Sequence, residues 1–182
     1  MPGFTYDELK NIKEQAQETL GVQLTTFVES GTFQANTSKL AALLFDQTYS
    51  IELSDHFYQQ AKKYESDKLH FIHGESFQVF QSLLPSLKQH NIFFWLDGHW
   101  SSGETARGSK DCPIIEELQV ILQHTSQACL IAIDDVRLFG THNAENWLDI
   151  TEQTIMNVLK PSNRVREMKI LNDRMYVYMK AI

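Results

Sequence analysis

At 182 residues the chain has the length of one domain with a full core, and its 42% hydrophobic and 21% charged residues are those of an ordinary globular protein. A formal net charge of −7 argues against a nucleic-acid partner, because phosphate contacts need clustered Lys and Arg; Lys62-Lys63 and the Arg164, Arg166, Lys169 set read as solvated faces. No apolar run reaches membrane-spanning length, the start lacks a signal-like n- or h-region, and Cys112 and Cys129 are too isolated for a zinc site or disulfide framework, so a cytoplasmic protein with no membrane partner is expected.

In chain order, residues 5 to 20 form an amphipathic helix. Thr5 and Glu8 fit a capping box, Leu9, Ile12, Ala16 and Leu20 recur at helical spacing, and Gly21 suits the stop. This helix should pack beside the sheet or roof the ligand cleft. A strand follows at about 25 to 29, then a turn through Gly31, then a helix at about 37 to 46 with Asn36 and Thr37 as N-cap residues. Residues 48 to 53 read as a second strand, closed by Ser54 at the head of a helix carrying Phe57, Tyr58, Ala61 and Tyr64. Residues 69 to 73 are a third strand, and Gly74-Glu75-Ser76 turns into a helix that stops near Pro85.

The run 92 to 96, Ile-Phe-Phe-Trp-Leu, is continuously apolar, as a strand buried on both faces should be. It exits into Asp97-Gly98-His99-Trp100 and a polar loop, 101 to 111. Pro113 opens the next helix. Residues 129 to 133 form a fifth buried strand ending in Asp134-Asp135. Leu148, Thr151, Ile155 and Leu159 mark one helix face, and 165 to 171 with 175 to 179 form a hairpin about Asn172-Asp173. Strand and helix alternate five times, so the expected fold is α/β, Rossmann-like, with a mostly parallel sheet, helices on both faces and a C-terminal antiparallel hairpin.

Such sheets bind ligands beyond the carboxyl ends of their strands. Polar residues gather there: Glu29-Ser30, Glu52, Glu75-Ser76, Asp97 and His99, and Asp134-Asp135. Glu52 ends the second strand 21 residues after Gly31, the spacing at which an acid meets ribose hydroxyls. A turn with one glycine is poor for pyrophosphate, and Glu29 beside it would repel phosphate but suit a cationic or amine-bearing ligand. A nucleoside derivative is therefore expected.

The stretches 29 to 37 (Glu-Ser-Gly-Thr-Phe-Gln-Ala-Asn-Thr), 51 to 54 (Ile-Glu-Leu-Ser), 74 to 76 (Gly-Glu-Ser) and 96 to 100 (Leu-Asp-Gly-His-Trp) resemble successive motifs of class I S-adenosylmethionine-dependent methyltransferases. The likeness covers roughly 24 to 136. It implies one domain over 1 to 182: an N-terminal helix (1 to 21), a cofactor-binding core (24 to 136), and a C-terminal helix and hairpin (137 to 182). It also implies roles. Glu29, Ser30, Gly31 and Thr32, with Phe33, Asn36 and Thr37 of the same stretch, would surround the methionine part of the cofactor. Glu52, with Leu53 and Ser54, would hold the ribose, and Gly74, Glu75 and Ser76 the adenine edge, with Asp97 also at the cofactor. One departure stands out: Ala35 occupies a position where the family often carries a second glycine.

The pattern resembles the metal-assisted O-methyltransferases of sugars and other natural products, and a related group of small-molecule hydroxylases. Asp97, Asp134 and Asp135 should lie side by side, where three carboxylates repel unless one is protonated or a cation such as Mg²⁺ joins them. The other reading has Asp97 on the cofactor and Asp134-Asp135 capping a turn. His99 is the candidate general base, instead of a metal or alongside it. The loop 101 to 111, with Trp100, Arg107 and His142, is the candidate acceptor-recognition element, although Arg107 has an equal alternative in an ion pair with Glu104 or Asp111. The expected activity is methyl transfer to a hydroxyl of a small-molecule acceptor, with a homodimer left open. Two alternatives stay open: a nicotinamide-dependent oxidoreductase, and a non-catalytic S-adenosylmethionine-binding relative of the fold.

Overall fold

The computed structural model describes residues 3–101, 105–142 and 144–182. One seven-stranded sheet carries β1 (Thr26–Ser30), β2 (Gln47–Glu52), β3 (Leu69–His73), β4 (Ile92–Leu96), β5 (Cys129–Ile133), β6 (Val165–Leu171) and β7 (Arg174–Met179). The spatial order is β3-β2-β1-β4-β5-β7-β6; β7 runs antiparallel between β5 and β6, and the other pairs are parallel. The chain therefore winds outward in two directions from β1 and β4, and the crevice between those strands is where such sheets receive ligands.

Side-chain alternation divides the core into two layers. In β4, Ile92, Phe94 and Leu96 face α4 (Ser76–Leu83), α5 (Ile114–His124) and α6 (Glu152–Leu159). Phe93 and Trp95 point the other way, into a layer with Phe4, Leu9 and Ala16 from the N-terminal segment and α1 (Tyr6–Leu20), and Ala41 from α2 (Asn36–Leu44). Met175, Val177 and Met179 of β7 oppose Tyr176 and Tyr178 by the same two-residue period. Of the two places expected for α1, the structure has it beside the sheet. The smaller α3 (Asp55–Ala61) covers the β3 side.

Local chemistry explains most boundaries. Thr5 and Glu8 form the anticipated capping box of α1, and Gly21 closes it in the left-handed region. Asn172 and Asp173 both take positive φ, as a type I′ hairpin turn demands. Two expectations are corrected. Neither Asn36 nor Thr37 caps α2; the cap is Ala35 at φ 58°, and the Thr37 hydroxyl instead accepts from Gly3 N–H at 3.3 Å. Leu148 is exposed outside the last helix, because Thr151 with Thr154 makes a capping box that starts α6 only at Glu152.

Candidate active site

Register brings the strand exits to one rim. Ser30 pairs with Ile51 on one side and Leu96 on the other, Leu96 pairs with Ile133, and Glu52 pairs with His73. Gly31, Asp97 and Asp134 thus follow their strands level with Glu52, the last residue of β2, and Gly74 lies one step beyond. Gly31 takes φ 88°, and a Cβ there would stand 2.2 Å from the carbonyl oxygen of Asp97. The glycine lets the β1 turn press against the exit of β4, so its close approach is to backbone.

The cleft at this rim has a free volume of about 130 Å³ and is faced by Gly31, Phe33, Glu52, Leu53, Gly74, Glu75, Ser76, Asp97, His99 and Trp100 among others. Glu52 is nearly buried, accepting from Phe33 N–H at 2.8 Å and Ser54 N–H at 2.7 Å. Burial raises its pKa, and these N–H groups oppose the rise. The rings of Phe33 and Phe57 pack beside it, tilted by 57° with centroids 4.5 Å apart. Glu75 accepts from Ser109 twice, from N–H at 2.6 Å and from Oγ at 2.5 Å. Gly108 is pressed so close that a Cβ would meet Glu75 Oε1 at 2.7 Å. Residues 105 to 110 therefore fold against the cleft and narrow it.

Several expected ligand contacts do not face the cleft. Glu29 is 2% exposed and accepts from Ser50 Oγ at 2.6 Å and from Ser38 Oγ. Burial lifts its pKa to about 7, against the pull of those two hydroxyls. Thr32 Oγ1 lies 2.6 Å from Ser50 Oγ, Asn36 heads α2, and Ser54 caps α3. Ser30 is fully buried.

At the opposite end of the cleft, His99 sits among carboxylates. Its Nε2 is 3.2 Å from Asp135 Oδ2 and 3.8 Å from Glu145 Oε2, and its Nδ1 is 3.7 Å from Asp97 Oδ1. Burial lowers the imidazole pKa, and Asp135 and Glu145 resist the change. Asp97 is held well above the usual carboxylate range, by burial first and then by Asp134 and Asp135. Its side chain keeps 29% of its surface open to the cleft, so water softens that push. One donor atom each from Asp97, His99 and Asp135 lie within 4.8 Å of one another, a spacing that one divalent ion could span. Asp134, expected in that group, faces the Arg174 guanidinium at 3.4 Å instead. Arg174 also stacks on Phe4 at 4.4 Å and donates to Gly3 O, which anchors the pair.

The acceptor-side candidates gather about Asp111, whose carbonyl accepts from Trp100 N–H at 2.7 Å and whose carboxylate feels both Arg107 and His142. Arg107 grips Asp111 through two hydrogen bonds, at 2.6 and 3.1 Å, and lies 4.5 Å over the Trp100 ring. Of its two alternative partners, Asp111 is engaged; Glu104, with Ser102 and Gly103 of the same loop, lies outside the described residues. His142 is exposed and is not among the residues that face the cleft. Sequence reasoning missed Glu145, whose carboxylate accepts from Trp147 Nε1 at 2.9 Å, while Trp147 packs edge-on against His99 at 4.9 Å. It missed Glu117 as well. Glu117 follows Glu116 on a helix and Glu145 lies in a polar loop, so each reads in sequence as an ordinary solvated acid.

The strand order, the closing hairpin and the rim of acids define the fold of class I S-adenosylmethionine-dependent methyltransferases. Solved structures of methyltransferases superpose on nearly all of the chain. MycE, the methyltransferase of the mycinamycin biosynthetic pathway in complex with Mg and S-adenosylhomocysteine, matches at TM-score 0.63 and 10% identity over 94% of this chain. The match covers 49% of MycE, so the chain spans about half the length of that relative. A putative caffeoyl-CoA O-methyltransferase from Staphylococcus aureus matches at TM-score 0.64 and 14% identity, covering 99% of this chain and 86% of the other. An O-methyltransferase from Bacillus cereus in complex with S-adenosylhomocysteine matches at 0.64 and 11%, covering 97% and 82%. No family model matches the chain, and no curated protein matches it in sequence. Among the described residues no helix is long and apolar enough to cross a membrane.

Proposed function

We propose that the protein transfers a methyl group from S-adenosylmethionine to a hydroxyl oxygen of a small-molecule acceptor. The observation that carries this reading is His99, set between Asp97 and Asp135 at one end of a cleft whose other end is lined by Glu52 and Glu75. Bound S-adenosylmethionine supplies an electrophilic methyl on a sulfonium. Glu52 would accept from the ribose hydroxyls, since its oxygens have lone pairs beyond those used by Phe33 and Ser54. The side chains of Leu53 and Phe57 offer apolar cover for the base.

His99 would take the acceptor's proton. Two carboxylates crowd Nε2, which favours the tautomer with hydrogen on that nitrogen; Nδ1, 3.7 Å from Asp97, is then free to accept. A divalent ion held by Asp97 and Asp135 would lower the pKa of an acceptor hydroxyl. If His99 Nδ1 were also a metal ligand it could not be the base, so the two roles compete for one nitrogen.

Mass spectrometry of small molecules retained on the purified protein, followed by titration with S-adenosylhomocysteine and with NAD, tests the reading. Retention and preferential binding of S-adenosyl compounds support it. Tighter binding of NAD would overturn it in favour of an oxidoreductase.

A further inference from the structure

Glu117 is a buried acid that the chemistry above does not use. It is the fourth residue of α5 and is fully buried. Its N–H bonds to the carbonyl of Pro113 one turn back, at 3.0 Å, and Pro113 faces the cleft. Helical side chains lean toward the N-terminal end, so the carboxyl lies against the back of that wall. Its neighbours there are Ser76, which heads α4 and faces the cleft, and Ser30, which ends β1. A Cβ on Gly98 of the cleft would stand 3.1 Å from Ser30 Oγ. Both serines are near enough to affect the carboxyl, yet neither meets hydrogen-bond geometry with it. Among the described residues, Ser30 Oγ and both Glu117 oxygens are buried without a partner. Orphaned polar atoms of this kind call for a partner that arrives with ligand or water.

We propose that Glu117 is a positioning residue for the cofactor, a neutral acid that sets the direction of the Ser30 and Ser76 hydroxyls behind the cleft. The inference rests on the S-adenosylmethionine reading of that cleft. A neutral carboxyl donates its O–H to a serine oxygen, leaving that serine's own O–H to donate toward the ligand. An ionised carboxylate can only accept, so it draws both hydroxyls to itself and reverses the chain. Burial opposes ionisation more strongly than the hydroxyls of Ser76 and Ser30 favour it. Glu116 on the same helix is acidic, Cys112 before the helix is kept a neutral thiol by burial, and Ser30 of β1 and Ser76 of α4 are uncharged. Burial brings the carboxyl's pKa up to about 7.

Calorimetric titration with S-adenosylhomocysteine at about pH 6 and about pH 8.5 tests this, using the parent, Glu117→Gln and Glu117→Leu. The parent should lose roughly thirtyfold in affinity between the two, because each pH unit above the pKa depletes the neutral form tenfold. Glu117→Gln, whose amide N–H₂ also donates, should keep the parent's low-pH affinity at both. Glu117→Leu should bind weakly at both while melting no earlier than the parent. A Gln variant with the parent's pH slope, or a Leu variant with parental affinity, overturns the inference alone. A parent that binds no S-adenosylhomocysteine at either pH overturns the cofactor reading and this inference with it.

Discussion

At the scale of single residues, Asp134 and Asp135 have identical chemistry and adjacent positions, yet different neighbours. Asp135 takes φ 60°, which turns its carboxylate toward His99 and Arg137, whereas Asp134 is drawn to Arg174. If Asp97, His99 and Asp135 hold a divalent ion, Mg²⁺ should raise the melting temperature by ligand linkage. Asp135→Asn should abolish that rise and Asp134→Asn should largely keep it. Thermal scans with EDTA and with Mg²⁺ decide the matter, and a rise that only Asp134→Asn removes would restore the three-aspartate set. A second test concerns Glu52. Losing its charge-assisted hydrogen bonds to the ribose should weaken S-adenosylhomocysteine by about 2 kcal/mol in Glu52→Gln, read by calorimetry. Unchanged affinity would remove the ribose assignment. The sequence exposes that acids collect at strand ends because each strand's last residue is visible. It does not expose which way each carboxylate turns, since a backbone angle such as that of Asp135 and a distant cation such as Arg174 decide it.

Among elements, the strands 92 to 96 and 129 to 133 are legible to the residue, because unbroken apolar runs between turn signals leave no latitude; 69 to 73, broken by His70 and His73, is bounded instead by the Gly74 turn that follows it. Helix starts are less legible. Ala35 caps α2 with no side-chain hydrogen bond, its left-handed φ standing where the family often has glycine. The loop after Trp100 is the least legible element, since its polar composition indicates exposure but gives no contact. In the structure Ser109 occupies Glu75, the acid expected to meet the adenine edge. Ser109→Ala removes one of the two hydrogen bonds and keeps the backbone one. If the loop competes with cofactor for Glu75, the variant should bind S-adenosylhomocysteine a few-fold more tightly, about 0.5 kcal/mol for an exposed bond. Weaker binding in the same titration would mean instead that Ser109 closes the loop over bound cofactor.

For the whole molecule, the buried acids set how stability depends on pH. Burial raises the pKa of Glu29, Glu52, Asp97, Glu117 and Asp134, with Glu29 and Glu117 at about 7. In the unfolded chain a glutamate titrates near about 4.3. Between these values the native state holds protons that the unfolded state has released, so unfolding becomes easier as pH rises. The stability these groups confer is intact below about pH 4 and is lost progressively up to about pH 7, on the order of 3 kcal/mol for each of Glu29 and Glu117. His99 opposes the trend below its ordinary pKa, because burial lowers it and the unfolded state there binds the extra proton; one histidine against five carboxylates does not reverse the slope. The melting temperature should therefore fall between about pH 5 and about pH 7.5, and Glu29→Gln should flatten the fall. Added Mg²⁺ should flatten it too, if the ion makes the ionised form of Asp97 the favoured one. Thermal scans across this range, with and without Mg²⁺, check both arms. A melting temperature that rises steadily with pH in the absence of metal would mean that these carboxylates are ionised and solvated in the native protein, and that the rim is wetter than the structure has it.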